Sequence, residues 1–445
     1  MALCIVITAL ISVAGARREP TSWNDSSRVA TVESLVDRQT FSISESPFAR
    51  DIGDKVLIDG EFYSHKPPVP AVLMAAVYGV LQAITGVKAL ETPSAFYWLV
   101  TLGSSGIAYV VAVACLFQMS GHLGLALSTR LLLAASFAGA TVALPYSRAV
   151  NDHILSLSAA LALFAVLSNR NTDPQAVPWT LGQLVLCGTL AGFACTLDVV
   201  SGFSLLAVVA ALIGYRSRSL RHTSAFIAGA LPWIALNHIL NYAIAGSLRP
   251  IAMTPEFFQW PGSPFADATT LTGAWNHEGI DDFALYAAKL LVGPVGFVAF
   301  NLPVWLALCG LFLVARRRTP ELPELLAAAL WAIITWLAYA ALSTNYAGGS
   351  ISIRWFVPLL AAAFLVLCVF LREFPEYRYD LLLLSSFGAL WTFRMWQRGP
   401  WAYPPVNMNW AFVALALGSW AVLRVTASRL RGHKPASLSR QSLSC

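Results

Sequence analysis

Apolar blocks broken by short polar stretches dominate this chain. The blocks fall at residues 2–16, 96–117, 125–147, 153–168, 179–197, 199–214, 224–245, 297–315, 325–342, 355–371, 380–395 and 410–424. A helix needs roughly 20 apolar residues to cross a bilayer, so several blocks sit at the lower bound and the pattern predicts about 11 to 13 transmembrane helices. The expected fold class is an all-α polytopic membrane protein. The block at 2–16 has no positive charge ahead of it and Arg17-Arg18 behind it. That order suits a first membrane helix better than a signal-peptide core.

Two polar stretches are long enough to carry chemistry, residues 17–68 and roughly 246–296. Within the first, Val29, Val32, Leu35 and Val36 recur at helical spacing, as in a short helix lying on a bilayer surface. A further apolar run, Val69 to Val87, decides the topology. Pro67, Pro68 and Pro70 suit a chain that turns and lies along the interface without crossing, although the pattern alone leaves both courses open. The organisation expected is a first transmembrane helix (1–16), an extracytoplasmic loop with interfacial helices (17–95), a transmembrane bundle (96–425) with an outward loop at 246–296, and a basic cytoplasmic tail (426–445).

Composition agrees with this class. Of 445 residues, 57% are hydrophobic and 12% charged, against about 25% charged in an average soluble domain. The formal net charge of +6 does not point to nucleic acid, because the basic residues cluster between apolar blocks. If Val69–Val87 does not cross, Arg216/Arg218/Arg221, Arg316–Arg318, Arg372/Arg378 and Arg424/Arg429/Arg431/Lys434/Arg440 share one face. The opposite loops at 148–152, 343–354 and 396–409 carry only Arg148, Arg354 and Arg398, so the clustered face is assigned to the cytoplasm and residues 17–68 face outward. The seven cysteines, at 4, 115, 187, 195, 309, 368 and 445, have neither metal-site nor disulfide-framework spacing.

The first loop carries the most informative motifs. Asp25 stands at the start of the surface helix, where a carboxylate caps free N–H groups and meets the positive helix end. "NDSSRVATVESLV" is followed about thirty residues later by "DGEFYSHKPPVPAVL". Together these resemble the first extracytoplasmic loop of the GT-C membrane glycosyltransferases, most closely the aminoarabinose transferase and protein mannosyltransferase branch. There an Asp-Glu-x-Arg-Tyr-Ala type stretch precedes a Lys-Pro-Pro type stretch; here Asp25 to Ala30 takes the first place and Lys66-Pro67-Pro68 the second. The likeness covers the first loop by motif and the remaining chain by layout. Ser26 stands where the family often has Glu.

The resemblance implies a GT-C-type bundle and an inverting transferase that moves a sugar from a polyprenyl-phosphate donor to a hydroxyl of an envelope lipid, glycan or protein, on the extracytoplasmic face of the plasma membrane. It implies Asp25 as the general base, with Arg28 beside it, and Lys66 as a cation for the leaving phosphate. In "SRAVNDHI", Asn151, Asp152 and His153 lie in the second outward loop, where an acid would face the first-loop aspartate and contact acceptor or sugar; a polar helix boundary is the plain alternative. Asp198 interrupts two apolar blocks, as a cavity acid or a turn marker. In "STNYAGGSISIRWFVPLL", Tyr346 and Arg354 are candidates for the donor phosphate, guanidinium being suited to bidentate phosphate binding.

No cofactor is firmly implied, and a divalent cation has no support from spacing. His277, Glu278, Asp281 and Asp282 in "WNHEGIDDFALY" read better as the start of an amphipathic helix than as metal ligands. Trp260, Trp275, Trp396, Trp401 and Tyr403 read as interface anchors among membrane lipids. No Walker or Rossmann fingerprint is present, which disfavours a nucleotide donor. A transporter or lipid flippase is the rival class, but no internal repeat is visible and the candidate charges gather at one face. A non-catalytic scaffold with a degenerate first loop is the third reading.

Overall fold

A backbone surrounded by lipid must satisfy its hydrogen bonds within itself, which turns apolar blocks into helices. The computed structural model describes residues 1–170, 178–265, 267, 271–401 and 406–432; Tyr403, Lys434 and Arg440 lie outside the described residues. In chain order the elements are α1 (Ala2–Gly15), α2 (Trp23–Asp37), β1 (Val56–Ile58), β2 (Glu61–Tyr63), α3 (Pro68–Thr85), α4 (Pro93–Thr101), α5 (Ile107–His122), α6 (Leu127–Ala140) and the one-turn α7 (Ala143–Tyr146). They continue with α8 (Asp152–Ser168), α9 (Leu181–Leu197), α10 (Val199–Ser217), α11 (Leu220–Ala245), α12 (Ile280–Val292), α13 (Leu302–Arg317) and α14 (Leu322–Leu342). The one-turn α15 (Tyr346–Gly349), α16 (Leu360–Glu373), α17 (Arg378–Arg398) and α18 (Val406–Gly432) complete the chain. Among the described residues, seven helical stretches are long and apolar enough to cross a membrane, and α1, α6, α8 and α9 are shorter apolar helices. This is an all-α polytopic fold.

Two blocks differ from their expected form. The block at 125–147 is not one helix, because Thr141 is extended (φ −129°, ψ 164°) and separates α6 from α7. The Val142 amide freed by the break donates to Asn301 Oδ1 at 3.0 Å. The block at 96–117 extends from Pro93 to His122, with a π-turn at Leu102–Gly106 joining α4 to α5. That turn presents Ser105, whose Oγ accepts from the Asn151 N–H at 2.9 Å and so ties the start of α8 to the middle of this helix.

Helix α16 is buried nearly all round, as a central helix must be. Helices α9 and α11 pack backbone against backbone. A Cβ on Gly188 would lie 1.8 Å from the Phe226 carbonyl oxygen, and one on Gly192 would lie 2.6 Å from that of Ala230. Gly188 and Gly192 form a small-xxx-small stripe, the usual device for close helix approach where lipid offers no hydrophobic drive.

Polar side chains gather at two opposite ends of the bundle. At one end Arg170, Arg216 and Arg372 interlace with Glu321 and Glu324 at 2.6 to 3.3 Å, joining the ends of α8, α10 and α16 to the start of α14. The other end holds α2, the β-hairpin and the starts of α3, α8 and α10, together with the segment before α16.

Candidate active site

The polar end encloses a cavity of about 310 Å³. Its walls are set by five local structures.

The first is α2. Ser22 caps it through a capping box: the Ser22 hydroxyl accepts from the Asp25 N–H, and Asp25 Oδ1 accepts from the Ser22 N–H at 2.7 Å and its hydroxyl at 2.6 Å. Oδ2 accepts from the Thr21 N–H at 2.9 Å and the Tyr97 hydroxyl at 2.7 Å. One turn later Arg28 points to the cavity. Its Nε and Nη2 donate to Asp152 Oδ2 at 2.8 and 2.7 Å, and Nη1 donates to the Asn24 carbonyl at 2.8 Å and to the Asn24 side chain.

The second is the hairpin β1–β2, paired antiparallel from Val56↔Tyr63 to Ile58↔Glu61. Its two-residue turn, Asp59-Gly60, has both φ values positive (49° and 87°), the geometry that matches strand twist. The hairpin folds the chain so that Asp54 and Lys66 meet: Lys66 Nζ lies 2.8 Å from Asp54 Oδ2 and 2.8 Å from His65 Nε2. Burial pushes the Lys66 ammonium down to about 8, with Arg28 and Arg354 adding to the shift and Asp54 opposing it. Burial and then Lys66 push His65 down to about 3, so its ring is neutral and accepts from the ammonium. Burial alone would raise Asp54, but Lys66 overrides it and holds the carboxyl well below the usual range.

The third and fourth are helix boundaries. Asn151 caps α8, its side chain accepting from the His153 N–H at 2.9 Å, and His153 reaches the cavity with Nδ1 3.6 Å from Asp198 Oδ2. Asp198 caps α10 through the Ser201 N–H at 3.0 Å, and the Tyr339 hydroxyl lies 2.7 Å from both its oxygens. Asn237 and Asn241, four residues apart on α11, also reach the wall; Asn237 Oδ1 is buried and meets no donor among the described residues.

The fifth is the strap from Asn345 to Ile353. Tyr346, Ala347, Gly348, Gly349, Ser352 and Ile353 all have positive φ, and for β-branched Ile353 (φ 43°) this is a strained conformation. The strap is pinned by the Tyr146 hydroxyl to the Ile351 carbonyl at 2.6 Å and by Asn301 Nδ2 to Ser352 Oγ at 2.9 Å. It delivers Arg354, whose guanidinium lies over Trp401 at 5.3 Å and meets no carboxylate or carbonyl among the described residues.

Of the residues expected from sequence, Arg28, Lys66, His153, Asp198 and Arg354 share the cavity wall. The other expected residues do not line that wall. Asp25 is off the wall and 2% exposed, with both oxygens occupied by cap and tyrosine donors. Asn151 and Asp152 stand behind the wall, the first as a cap and the second as the counter-ion that aims Arg28. Tyr346 turns its ring onto Tyr286 at a centroid distance of 4.8 Å, because its left-handed backbone points the side chain away from the cavity; Asn345 and Gly348 line it instead. His277 packs elsewhere, its ring nitrogens 2.6 Å from the Ala340 carbonyl oxygen and 3.1 Å from Asp282. Sequence reading missed Asp54, His65, Asn237 and Asn241. The Asp-Gly turn between two short β-rich runs was the available signal for the first two, and two asparagines at i, i+4 in an apolar helix for the others.

Charge on the wall nearly cancels: Asp152 offsets Arg28 and Asp54 offsets Lys66, while Asp198 is held by a hydroxyl and an amide. Arg354 makes no ion pair among the described residues, although Asp54 faces it, and its guanidinium donors together with the third N–H of Lys66 are open to an anion. Among the described residues no three His, Cys, Asp or Glu side chains come together as metal ligands.

No protein-family model matches the chain, and no curated protein matches it. Solved structures similar in fold include two of one protein. ArnT from Cupriavidus metallidurans bound to undecaprenyl phosphate aligns over 95% of this chain and 77% of its own, with a TM-score of 0.53 at 14% identity. The same protein in the apo state aligns over 94% of this chain and 74% of its own, with a TM-score of 0.52 at 13% identity. The chain thus has the fold of the GT-C membrane glycosyltransferases.

Proposed function

We propose that the protein transfers a sugar from a polyprenyl-phosphate donor to an acceptor hydroxyl, with inversion at the anomeric carbon. The observation that carries the reading is Arg354, whose guanidinium donors are open on a cavity wall that also bears Lys66. A lipid phosphodiester has a single negative charge, and Arg354 offers it a guanidinium that makes no ion pair among the described residues. The undecaprenyl phosphate bound by the ArnT of similar fold supports the same ligand class.

The rest of the wall suits such a donor. Ile251, Met253, Phe258, Phe265 and Leu271 give an apolar flank for the first prenyl units. The phosphate sits between Lys66 and Arg354, where it gains charge-assisted hydrogen bonds. Asn237 Oδ1 is a free acceptor for a sugar hydroxyl, and leaving it unpaired costs about 1–3 kcal/mol, which a bound sugar recovers. As the bond to phosphate breaks, the phosphate goes from one negative charge to two, and fixed cations stabilise that growth most. The acceptor is a hydroxyl of an envelope lipid, glycan or protein, and the reaction face is extracytoplasmic.

The test uses the full chain in lipid nanodiscs. Undecaprenyl phosphate should bind the wild type, and Arg354→Ala should weaken it by about 10- to 100-fold, the loss of a charged hydrogen bond. Transfer from radiolabelled polyprenyl-phosphate sugars to an envelope acceptor fraction should fall with it. Wild type that binds no undecaprenyl phosphate overturns the reading.

A further inference from the structure

One acid on the cavity wall has a carboxylate that is only half engaged. Asp54 gives Oδ2 to the Lys66 ammonium at 2.8 Å, and no donor among the described residues meets its Oδ1. The other acids are held differently. Tyr339 and the Ser201 N–H occupy Asp198, and Asp25 accepts hydrogen bonds at both oxygens. Arg28 holds Asp152 Oδ2 behind the wall, and Asp152 Oδ1, although it too meets no donor among the described residues, is sealed off from the cavity. Hydrogen bonds to the charged form oppose protonation. At Asp198 burial outweighs them and raises the carboxyl, but both its oxygens lie against the Tyr339 hydroxyl, so it is set apart by lack of space for a second hydroxyl. Asp54 Oδ1 is the acid oxygen with room for a hydroxyl.

Its partner is the same ammonium a donor phosphate needs. Lys66 spends one N–H on Asp54 and one on His65, and has one left. Without donor, the groups facing Asp54 are Lys66, His65 and Arg354, and they outweigh its burial and suppress its basicity. A phosphate on Lys66 and Arg354 cancels that field and adds negative charge beside the carboxylate, which raises its affinity for a proton.

Resting on the donor reading above, we propose that Asp54 is the proton acceptor of the transfer and that donor binding activates it, by placing the phosphate charge on the two cations that otherwise quench the carboxylate. The acceptor oxygen forms a bond to the anomeric carbon while the bond from that carbon to the phosphate oxygen breaks. The bonding pair stays on the phosphate, the hydroxyl proton passes to Asp54 Oδ1, and it leaves later to water. Arg354 and Lys66 receive the second phosphate charge. An acceptor that arrives before the donor meets a carboxylate tied to lysine, so the order of binding is built into the ion pair.

Wild type, Asp54→Asn and Asp198→Asn in nanodiscs are compared for undecaprenyl phosphate binding and for sugar transfer between pH 5 and 8. Asp54→Asn is expected to bind the lipid phosphate as well as wild type or several-fold tighter, because a competing anion is gone, and this also certifies its fold. Its transfer is expected to fall by about 100-fold or more, and the remainder to lack the acid limb of the wild-type profile. Asp54→Ala is expected to regain at least about tenfold with added formate, a carboxylate small enough for the space left. Transfer by Asp54→Asn within threefold of wild type overturns the Asp54 role, above all if Asp198→Asn abolishes transfer. Loss of lipid binding together with transfer also overturns it, because Asp54 would then only hold Lys66. Wild type that binds no undecaprenyl phosphate overturns the donor reading beneath it, so the two failures are distinguishable.

Discussion

At the scale of single residues, Lys66 decides how the site responds to pH. Its ammonium is pushed down to about 8, first by burial and then by Arg28 and Arg354, against the pull of Asp54. A lysine loses its charge as pH rises through its pKa, so the cation is present below about 8 and fades above it. The measure that reports the free enzyme is kcat/KM for the donor, and it should be level to neutral pH and fall by about tenfold per unit above pH 8. Lys66→Arg should remove that limb, since guanidinium stays charged throughout; a limb unchanged in Lys66→Arg would assign it to another group. The sequence made Lys66, Arg28 and Arg354 legible because charge beside an apolar block is rare and each sat in a motif. It made Asp25 legible as the acid at the start of α2, but not the cap and tyrosine contacts that occupy its oxygens. A carboxylate at the third position of a helix either caps or faces outward, and only the neighbouring Ser22, Thr21 and Tyr97 donors decide which.

At the scale of elements, the site depends on how closely α9 and α11 approach, because Asp198 follows one and Asn237 and Asn241 lie on the other. Gly188 is the tightest point, its absent Cβ lying 1.8 Å from the Phe226 carbonyl oxygen, a rigid backbone atom that cannot rotate away. Gly188→Ala should therefore force the helices apart, lowering stability by about 1–3 kcal/mol. The thermal unfolding midpoint in detergent would read the loss. Gly182→Ala, where a Cβ meets nothing within 4 Å, should leave that midpoint in place. Helix periods were readable from the blocks, yet elements made by exceptions were not. Thr141 breaks an apolar run because Asn301, distant in sequence, accepts its neighbour's amide. The strap before Arg354 adopts six positive φ values because Tyr146 and Asn301 hold it from outside. A local pattern carries no trace of either partner.

At the scale of the whole molecule, the course of α3 decides whether residues 17–67 share a face with the rest of the cavity wall. By length and apolarity α3 is a crossing helix. Its contacts favour a path along the interface. Pro68 lines the cavity, and ten residues later Tyr78 packs on Phe96 at 4.5 Å, beside the Tyr97 that donates to Asp25. Asp37 at the end of α2 accepts from Gln82 at 2.7 Å, so the two helices run side by side. The Trp98 N–H donates to the Val13 carbonyl near the end of α1, so α4 begins at the cavity end as well. Leu73, Val77, Val80 and Ile84 form an exposed apolar stripe along α3, rising to 76% exposure at Ile84. A helix with one stripe toward lipid and another on the buried polar α2 suits the plane of the interface, not the middle of a bilayer. With α3 in that plane, the arginine clusters at 216–221, 316–318 and 372–378 fall on the face opposite the cavity, as the bias of basic loops toward the cytoplasm requires. An epitope inserted between Gln39 and Thr40, in the exposed loop ahead of α3, should then be accessible from the same side as one in the 246–279 loop, and from the side opposite one after Arg318. Accessibility from the Arg318 side would make α3 a crossing helix, and would move residues 17–67 to the other face from the rest of the cavity wall. The salt bridge from Arg28 on α2 to Asp152 on α8 would then have to span the bilayer, which its 2.7 Å does not allow.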